Sequence, residues 1–278
     1  MIKVENLTIN GSKGKPIVMD IIFKETEYAK PIVIFCHGFK GFKNWGHYDL
    51  LAAEFARHDF VFLKFNFSYN GTTLENPADF ADLEAFGNNN FSIELDDLGL
   101  VIDFIEKNAE IYSGDKNKIF LIGHSRGGGI AILKTGEDKR IKKLSTWASV
   151  KDAADFFIHQ DLEKWKSDGF IYTLNSRTQQ NMPLNYQIYE NYIANKDRLN
   201  IAKASVNIDV PWLIVHGTND EAVQFSSAEK LHQLNKNSVL LKMEQGNHTF
   251  GGKHPWKEDN LPDDAKIVID ETILFFKK

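Results

Sequence analysis

Lys118-Ile119-Phe120-Leu121-Ile122-Gly123-His124-Ser125-Arg126-Gly127-Gly128-Gly129 decides the fold. An apolar run, Ile119 to Ile122, enters Gly-His-Ser-Arg-Gly, and an apolar helical segment, Ile130 to Lys134, leaves it. That is strand, sharp turn, helix. A serine at such a turn sits in a strained backbone conformation with its hydroxyl clear of the sheet. The flanking glycines let strand and helix pass closely. The helix that starts at Arg126 points its first N–H groups at whatever Ser125 attacks. Ser125 is the candidate nucleophile. The competing reading is a structural serine in a Gly-rich turn.

Working outward, Val4 to Ile9 and Ile17 to Lys24 alternate in polarity around a Gly-Ser-Lys-Gly turn and predict an opening β-hairpin. Ile32 to Cys36 and Phe60 to Phe67 are continuous apolar runs, as expected of strands buried on both faces. The first of them ends in His37-Gly38-Phe39-Lys40-Gly41. Helical spacing marks Trp45 to His58 and Phe91 to Ala109, with a polar loop, Ser68 to Asn90, between. Beyond the opening stretch, strands are predicted at Leu144 to Val150, Trp212 to His216 and Ser238 to Met243. Helices are predicted at Glu229 to Asn235 and Asp263 to Lys278. This alternation implies a mostly parallel sheet, helices on both faces, and a single domain over residues 1–278. The interval 151–209 breaks the rhythm. It reads as helix (Asp152 to Lys166), short strand (Gly169 to Leu174) and helix (Tyr186 to Leu199). A long insertion at the C-terminal edge of a sheet is expected to cap an active site.

The 278 residues are 42% hydrophobic, enough for a large core, and carry a net charge of −5 with Lys and Arg scattered. That balance argues against nucleic-acid binding. One cysteine, Cys36, rules out an internal disulfide framework or a cysteine-based zinc cluster, and it reads as buried filler. No apolar run approaches the ~20 residues of a membrane span. The N-terminus lacks a basic segment followed by an apolar one, so the expected location is cytoplasmic. Nothing in the sequence marks an oligomer interface.

A serine nucleophile needs a base, and the base needs a partner that holds its tautomer. Reactive groups in an open α/β sheet lie beyond the carboxyl ends of the strands, and this sorts the nine histidines. His248 follows the last strand in Gln245-Gly246-Asn247-His248 and is the expected base, with His254 the alternative. His37 and His216 read as structural histidines that orient their loops. His124, beside the nucleophile, is expected to point away from it. Asp220, just past the Trp212–His216 strand, is the expected acid, with Glu221 the alternative. The chain order is then Ser125, Asp220, His248, as in sheet hydrolases with a nucleophile elbow. Two N–H donors must hold the tetrahedral oxyanion. Arg126 supplies one and Phe39, turned by Gly38, the other.

Taken together, His-Gly-Phe, Gly-His-Ser-Arg-Gly-Gly, the Asp220 loop and the Gly-x-His loop around His248 resemble the α/β-hydrolase superfamily over nearly the whole chain. Within it the chain resembles the dienelactone-hydrolase-like and cinnamoyl-esterase-like serine hydrolases. The resemblance implies the α/β-hydrolase fold with an eight-stranded, mostly parallel sheet and a cap. It implies hydrolysis of small-molecule esters, with small to medium acyl or aryl groups, and no cofactor or metal. Serine at the elbow departs from the dienelactone hydrolase pattern, where cysteine is usual. An amidase or peptidase with the same triad, or a non-catalytic binding protein, are the alternatives. Trp147, Tyr172 and Arg177 are the candidate substrate-binding residues. Trp165, Phe170 and the tyrosines of the insertion form either an aromatic roof over the site or the insertion's own core.

Overall fold

The computed structural model describes residues 1–278. The chain opens with β1 (Ile2–Asn10) and β2 (Pro16–Phe23), followed by β3 (Lys30–Cys36), α1 (Tyr48–Arg57) and β4 (Val61–Asn66). Next come α2 (Leu83–Gly87), α3 (Phe91–Asn108), β5 (Gly114–His124), α4 (Arg126–Glu137) and β6 (Ile141–Trp147). Then follow α5 (Leu162–Asp168), β7 (Phe170–Asn175), β8 (Gln180–Asn185), α6 (Gln187–Ala194) and α7 (Ile201–Asn207). The chain closes with β9 (Trp212–Gly217), α8 (Ser226–Leu234), β10 (Val239–Met243) and α9 (Asp263–Lys277).

Eight strands form one sheet in the order β1-β2-β4-β3-β5-β6-β9-β10. Neighbours from β4 to β10 run parallel, and the β1–β2 hairpin adds an antiparallel edge. The expected mostly parallel eight-stranded sheet is therefore present. From β3 the chain moves outward to β4. From β5 it moves outward the other way. The order thus reverses between β3 and β5, where the carboxyl ends of the strands leave a crevice. His37-Gly38-Phe39 and Ser125 leave those two strands.

Alternation along β3 sends Ile32, Ile34 and Cys36 into one core and Val33 and Phe35 into the other. The first core lies under α3, α4, α7 and α8, and the second under α1 and α9. The crevice is held narrow by close backbone approach. A Cβ on Gly127 would sit 2.3 Å from the His37 carbonyl oxygen and 2.5 Å from that of Cys36. Only glycine lets α4 rest on the end of β3.

The interval 151–209 differs in detail from its sequence reading. Asp152 to Lys166 is not one helix. A 3-10 turn at Ala153–Phe156 is followed by the separate α5. The Asp152 carboxylate accepts from the Ala154 N–H and that of Asp161 from the Lys164 N–H, so each aspartate caps a new helix start. The predicted strand is present as β7, but it pairs with β8 in a separate two-stranded sheet. α6 stops at Ala194 rather than running to Leu199, and Asn195 is its C-cap. α7 packs against α4 and α8 as a helix flanking the main sheet.

Three charged side chains are fully buried on the antiparallel side. Asp20 on β2 binds Lys43 Nζ at 2.8 Å with both carboxylate oxygens and lies 3.1 Å from Lys64 Nζ. Lys64 also reaches Asp49 at 2.8 Å and donates to the Asn44 side chain. The Lys43 N–H donates to Asn66 Oδ1 at 2.6 Å. These contacts pin the loop that carries Phe39 into α1. Removing this carboxylate would leave the buried Lys43 ammonium without an ionic partner and Lys64 with Asp49 alone. Asp20→Ala is therefore expected to cost about 3–5 kcal/mol, read as a lower urea midpoint at an unchanged slope. An unshifted midpoint would contradict the placement of this network.

Candidate active site

Ser125 ends β5 with φ 56° and ψ −123°, a conformation L-residues rarely adopt. The strain is held by α4 on one side and by the Ser125 N–H bond to the Trp147 carbonyl, 2.9 Å, on the other. It lifts Oγ out of the sheet. His248 Nε2 lies 2.9 Å from Ser125 Oγ, and His248 Nδ1 lies 2.8 Å from Asp220 Oδ2. The loops after β5, β9 and β10 thus bring the three expected residues into one hydrogen-bonded line.

Asp220 is fixed on every side. Its Oδ1 accepts from the N–H groups of Ala222 and Val223 at 2.9 and 2.8 Å. Its Oδ2 also lies 3.2 Å from Nε2 of the buried His216. Burial opposes ionisation of this carboxyl, but hydrogen bonds from His216, His248 and the Val223 N–H hold it well below the usual carboxylate range. A carboxylate so held fixes the His248 tautomer with the proton on Nδ1, leaving Nε2 to accept from Ser125. Glu221, the alternative acid, is exposed. His254, the alternative base, accepts from the Gly46 N–H at 2.8 Å through Nδ1 and stacks near Trp45, away from the triad.

The loop after β3 touches the nucleophile. A Cβ on Gly38 would lie 2.9 Å from Ser125 Cβ. His37 orients this loop as expected. Its Nδ1–H donates to the Gly38 carbonyl at 2.9 Å and its Nε2 accepts from the Phe67 N–H at 3.4 Å. The Phe39 N–H has no acceptor within the protein. Arg126 is the first residue of α4, where a helix leaves its N–H groups unbonded. Both expected oxyanion donors therefore flank Ser125 with their amides open.

His124, the residue before Ser125, packs beside His248. Its Nε2–H donates to the His248 carbonyl at 2.8 Å, and the two rings lie 4.9 Å apart. The residue before Ser125 thus holds the backbone of His248. Its sequence position beside Ser125 was visible, but nothing local in the sequence tells that the β10–α9 loop passes over it.

The side chains of the three candidate substrate-binding residues make no hydrogen bond to the triad. Trp147 is buried in the core beneath α9, its indole N–H donating to Ser145 and Thr272. It faces the sheet side opposite the insertion because the alternation of β6 sends it there. Tyr172 is 60% exposed and packs only on Phe170 among the aromatic rings. Arg177 pairs with Asp79 at 3.1 Å and ties the β7–β8 turn to the loop after β4. Tyr186, Tyr189 and Tyr192 pack on Trp165 and Phe157 and form the insertion's own core rather than a roof. No cluster of three or more His, Cys, Asp or Glu side chains could hold a metal ion. No helix is long and apolar enough to cross a membrane.

The BD-FAE family model matches residues 19–234, from β2 through α8. The chain belongs to the BD-FAE family. Ser125 and Asp220 lie inside the matched span, and His248 lies beyond it. No curated protein matches the chain. Among solved structures, Est1E from Butyrivibrio proteoclasticus with ferulic acid bound is similar at TM-score 0.75 and 18% identity, covering 96% of this chain and 98% of that one. A putative hydrolase from Agrobacterium vitis S4 is similar at TM-score 0.72 and 19% identity, covering 99% and 98%. The esterase domain of a Rhodothermus marinus protein is similar at TM-score 0.66 and 18% identity, covering 99% and 98%. These likenesses show the α/β-hydrolase fold, and the BD-FAE family shares it here.

Histidines behind the site set a pH limit on its integrity. Burial pushes His37 and His47 down to about 4 and His124 down to about 3. Above the unfolded value of about 6.5 they are neutral in both states. Below it the unfolded chain takes up protons that the folded one refuses, so stability falls as pH drops. The urea midpoint is expected to decline from about pH 6.5 to about pH 4 as these three imidazoles charge on unfolding. A flat midpoint over that window would contradict it.

Proposed function

We propose that the protein is a serine hydrolase that cleaves carboxylic esters of small to medium acyl or aryl groups through an acyl-enzyme. The observation that carries this reading is the line Ser125 Oγ–His248–Asp220, with contacts of 2.9 and 2.8 Å. Membership of the BD-FAE family and the likeness to esterase structures support it. The ferulic acid named with Est1E supports including aryl acids among the acyl groups.

In this mechanism Ser125 Oγ attacks the ester carbonyl as His248 Nε2 takes its proton. Asp220 stabilises the imidazolium without accepting the proton itself. The amides of Phe39 and Arg126 bind the oxyanion, which is stronger in the transition state than in the ground-state carbonyl. The alcohol departs with the proton from His248. Water, deprotonated by His248, then attacks the acyl-enzyme and frees the acid. No metal or cofactor takes part in these steps, and the single domain with its 151–209 cap is the proposed catalytic unit.

Ester and amide chemistry differ in leaving-group demand, so one comparison separates them. An aryl ester is expected to be hydrolysed far faster than the matching aminoacyl anilide. Asp220→Asn is expected to lower kcat by about 10³–10⁴-fold through loss of the correct tautomer. Equal or greater turnover of the anilide would reassign the protein as an amidase. Full activity in Asp220→Asn would remove Asp220 from the mechanism.

A further inference from the structure

His216 stands one residue before the end of β9, and its side chain is wholly buried. Its Nε2 faces two oxygens, the Val223 carbonyl at 2.8 Å and Asp220 Oδ2 at 3.2 Å. A carbonyl and a carboxylate only accept, so Nε2 carries a proton and donates between them. The other ring nitrogen, Nδ1, is buried and has no partner. Every hydrogen bond that His216 makes therefore falls on Asp220 or on Val223. The Val223 N–H in turn donates to Asp220 Oδ1 at 2.8 Å. Imidazole, peptide and carboxylate thus close a ring of hydrogen bonds. Packing alone does not ask for a histidine here. Its edge contact with the Phe225 ring, at 6.0 Å, is one that an apolar side chain could make without leaving a buried nitrogen unsatisfied.

The position of each donor decides what it can do for the acid. Asp220 Oδ1 takes its bonds from Ala222 and Val223, two and three residues further along the same loop. Those donors move with the loop. Oδ2 takes one bond from His248, whose charge changes in each proposed turnover. His216 is the one donor to this carboxylate that stands on a strand of the main sheet, and β9 is paired with β6 on one side and β10 on the other. Backbone bonds from Thr218 and Asn219 to the β10 side tie the start of the loop but not the acid's side chain. Without the His216 bond, Oδ2 would have no donor except the base it must orient.

We propose that His216 is a positioning residue for the triad: its Nε2–H fixes Asp220 Oδ2 relative to β9, and through that oxygen it fixes the His248 ring relative to Ser125. This inference rests on the serine-hydrolase reading above. His216 acts through Asp220 and bonds to no reacting atom.

The test measures kcat and KM for one aryl ester, per active site counted by end-point fluorophosphonate labelling. His216→Leu is expected to lower kcat by about 10–100-fold with KM unchanged, the cost of a misplaced catalytic group. His216→Gln keeps N–H donors at the reach of Nε2 and is expected to recover most of that loss. In an Asp220→Asn background, His216→Leu is expected to cost nothing further, because the two residues act as one unit. A histidine that merely fills space would lower the number of labelled sites or the urea midpoint and leave kcat per site at the wild-type value. That result would overturn the proposal. So would a loss that adds to that of Asp220→Asn, a rise in KM alone, or a Gln variant as impaired as the Leu variant. If His216→Leu does not fold, nitrogen-15 histidine spectra of the wild type decide. They are expected to show the His216 proton on Nε2, and a proton on Nδ1 alone would overturn the proposal. If fluorophosphonate leaves Ser125 of the wild type unlabelled, the serine-hydrolase reading fails instead.

Discussion

The close approach of the β5–α4 turn to the end of β3 is the constraint on which the site depends. Gly127 lets α4 lie against the carbonyls of Cys36 and His37, and Gly38 brings the next loop against Ser125. These contacts hold Ser125 at positive φ. The strain is local, but its support is not. Both strands are buried on both faces, so neither can shift to relieve it without opening two cores. The same contact brings the two open amides beside the serine. The proposed nucleophile and the proposed oxyanion donors are therefore brought together by one packing event rather than by two separately built features.

A second layer fixes the groups that the crevice gathers. His124 holds the backbone of His248, His216 flanks Asp220, and His37 orients Gly38. Each is a buried imidazole spending its N–H on a loop that carries a reactive group. On the other side of β3, the Asp20, Lys43 and Lys64 network anchors the loop that carries Phe39 to the antiparallel edge. The chain thus uses buried polar groups where the geometry of the loops matters and apolar packing elsewhere. Arg126 combines the two, pairing with Glu94 through Nε inside a ring of aromatic side chains.

Much of this was legible in the sequence because it depends on local patterns. Apolar runs ending in glycine marked β3, β5 and β9, and the residues just beyond each were the ones the structure brings together. Ser125, Asp220 and His248 needed only the rule that reactive loops leave the carboxyl ends of parallel strands. The insertion was harder to read. β8 offers only Met182 and Leu184 as inward apolar residues among Gln180, Asn181, Pro183 and Asn185, so its alternation is too short to mark a strand. Asp161 breaks an apparently continuous helix because it caps a new start. The face that Trp147 covers was not legible for a related reason. Sequence places a residue at a strand end or on a helix, but which face its ring covers depends on partners distant in the chain. The Glu94–Arg126 pair spans 32 residues and left no sequence mark.

The central claim is that Ser125 carries the acyl group. Rapid mixing with an activated aryl ester, acid quenching and mass spectrometry of the digested protein tests it most directly. The account predicts a burst of phenol release and an acyl mass increment on the peptide containing Ser125, absent from Ser125→Ala. An increment on another residue, or steady turnover in Ser125→Ala, would contradict it.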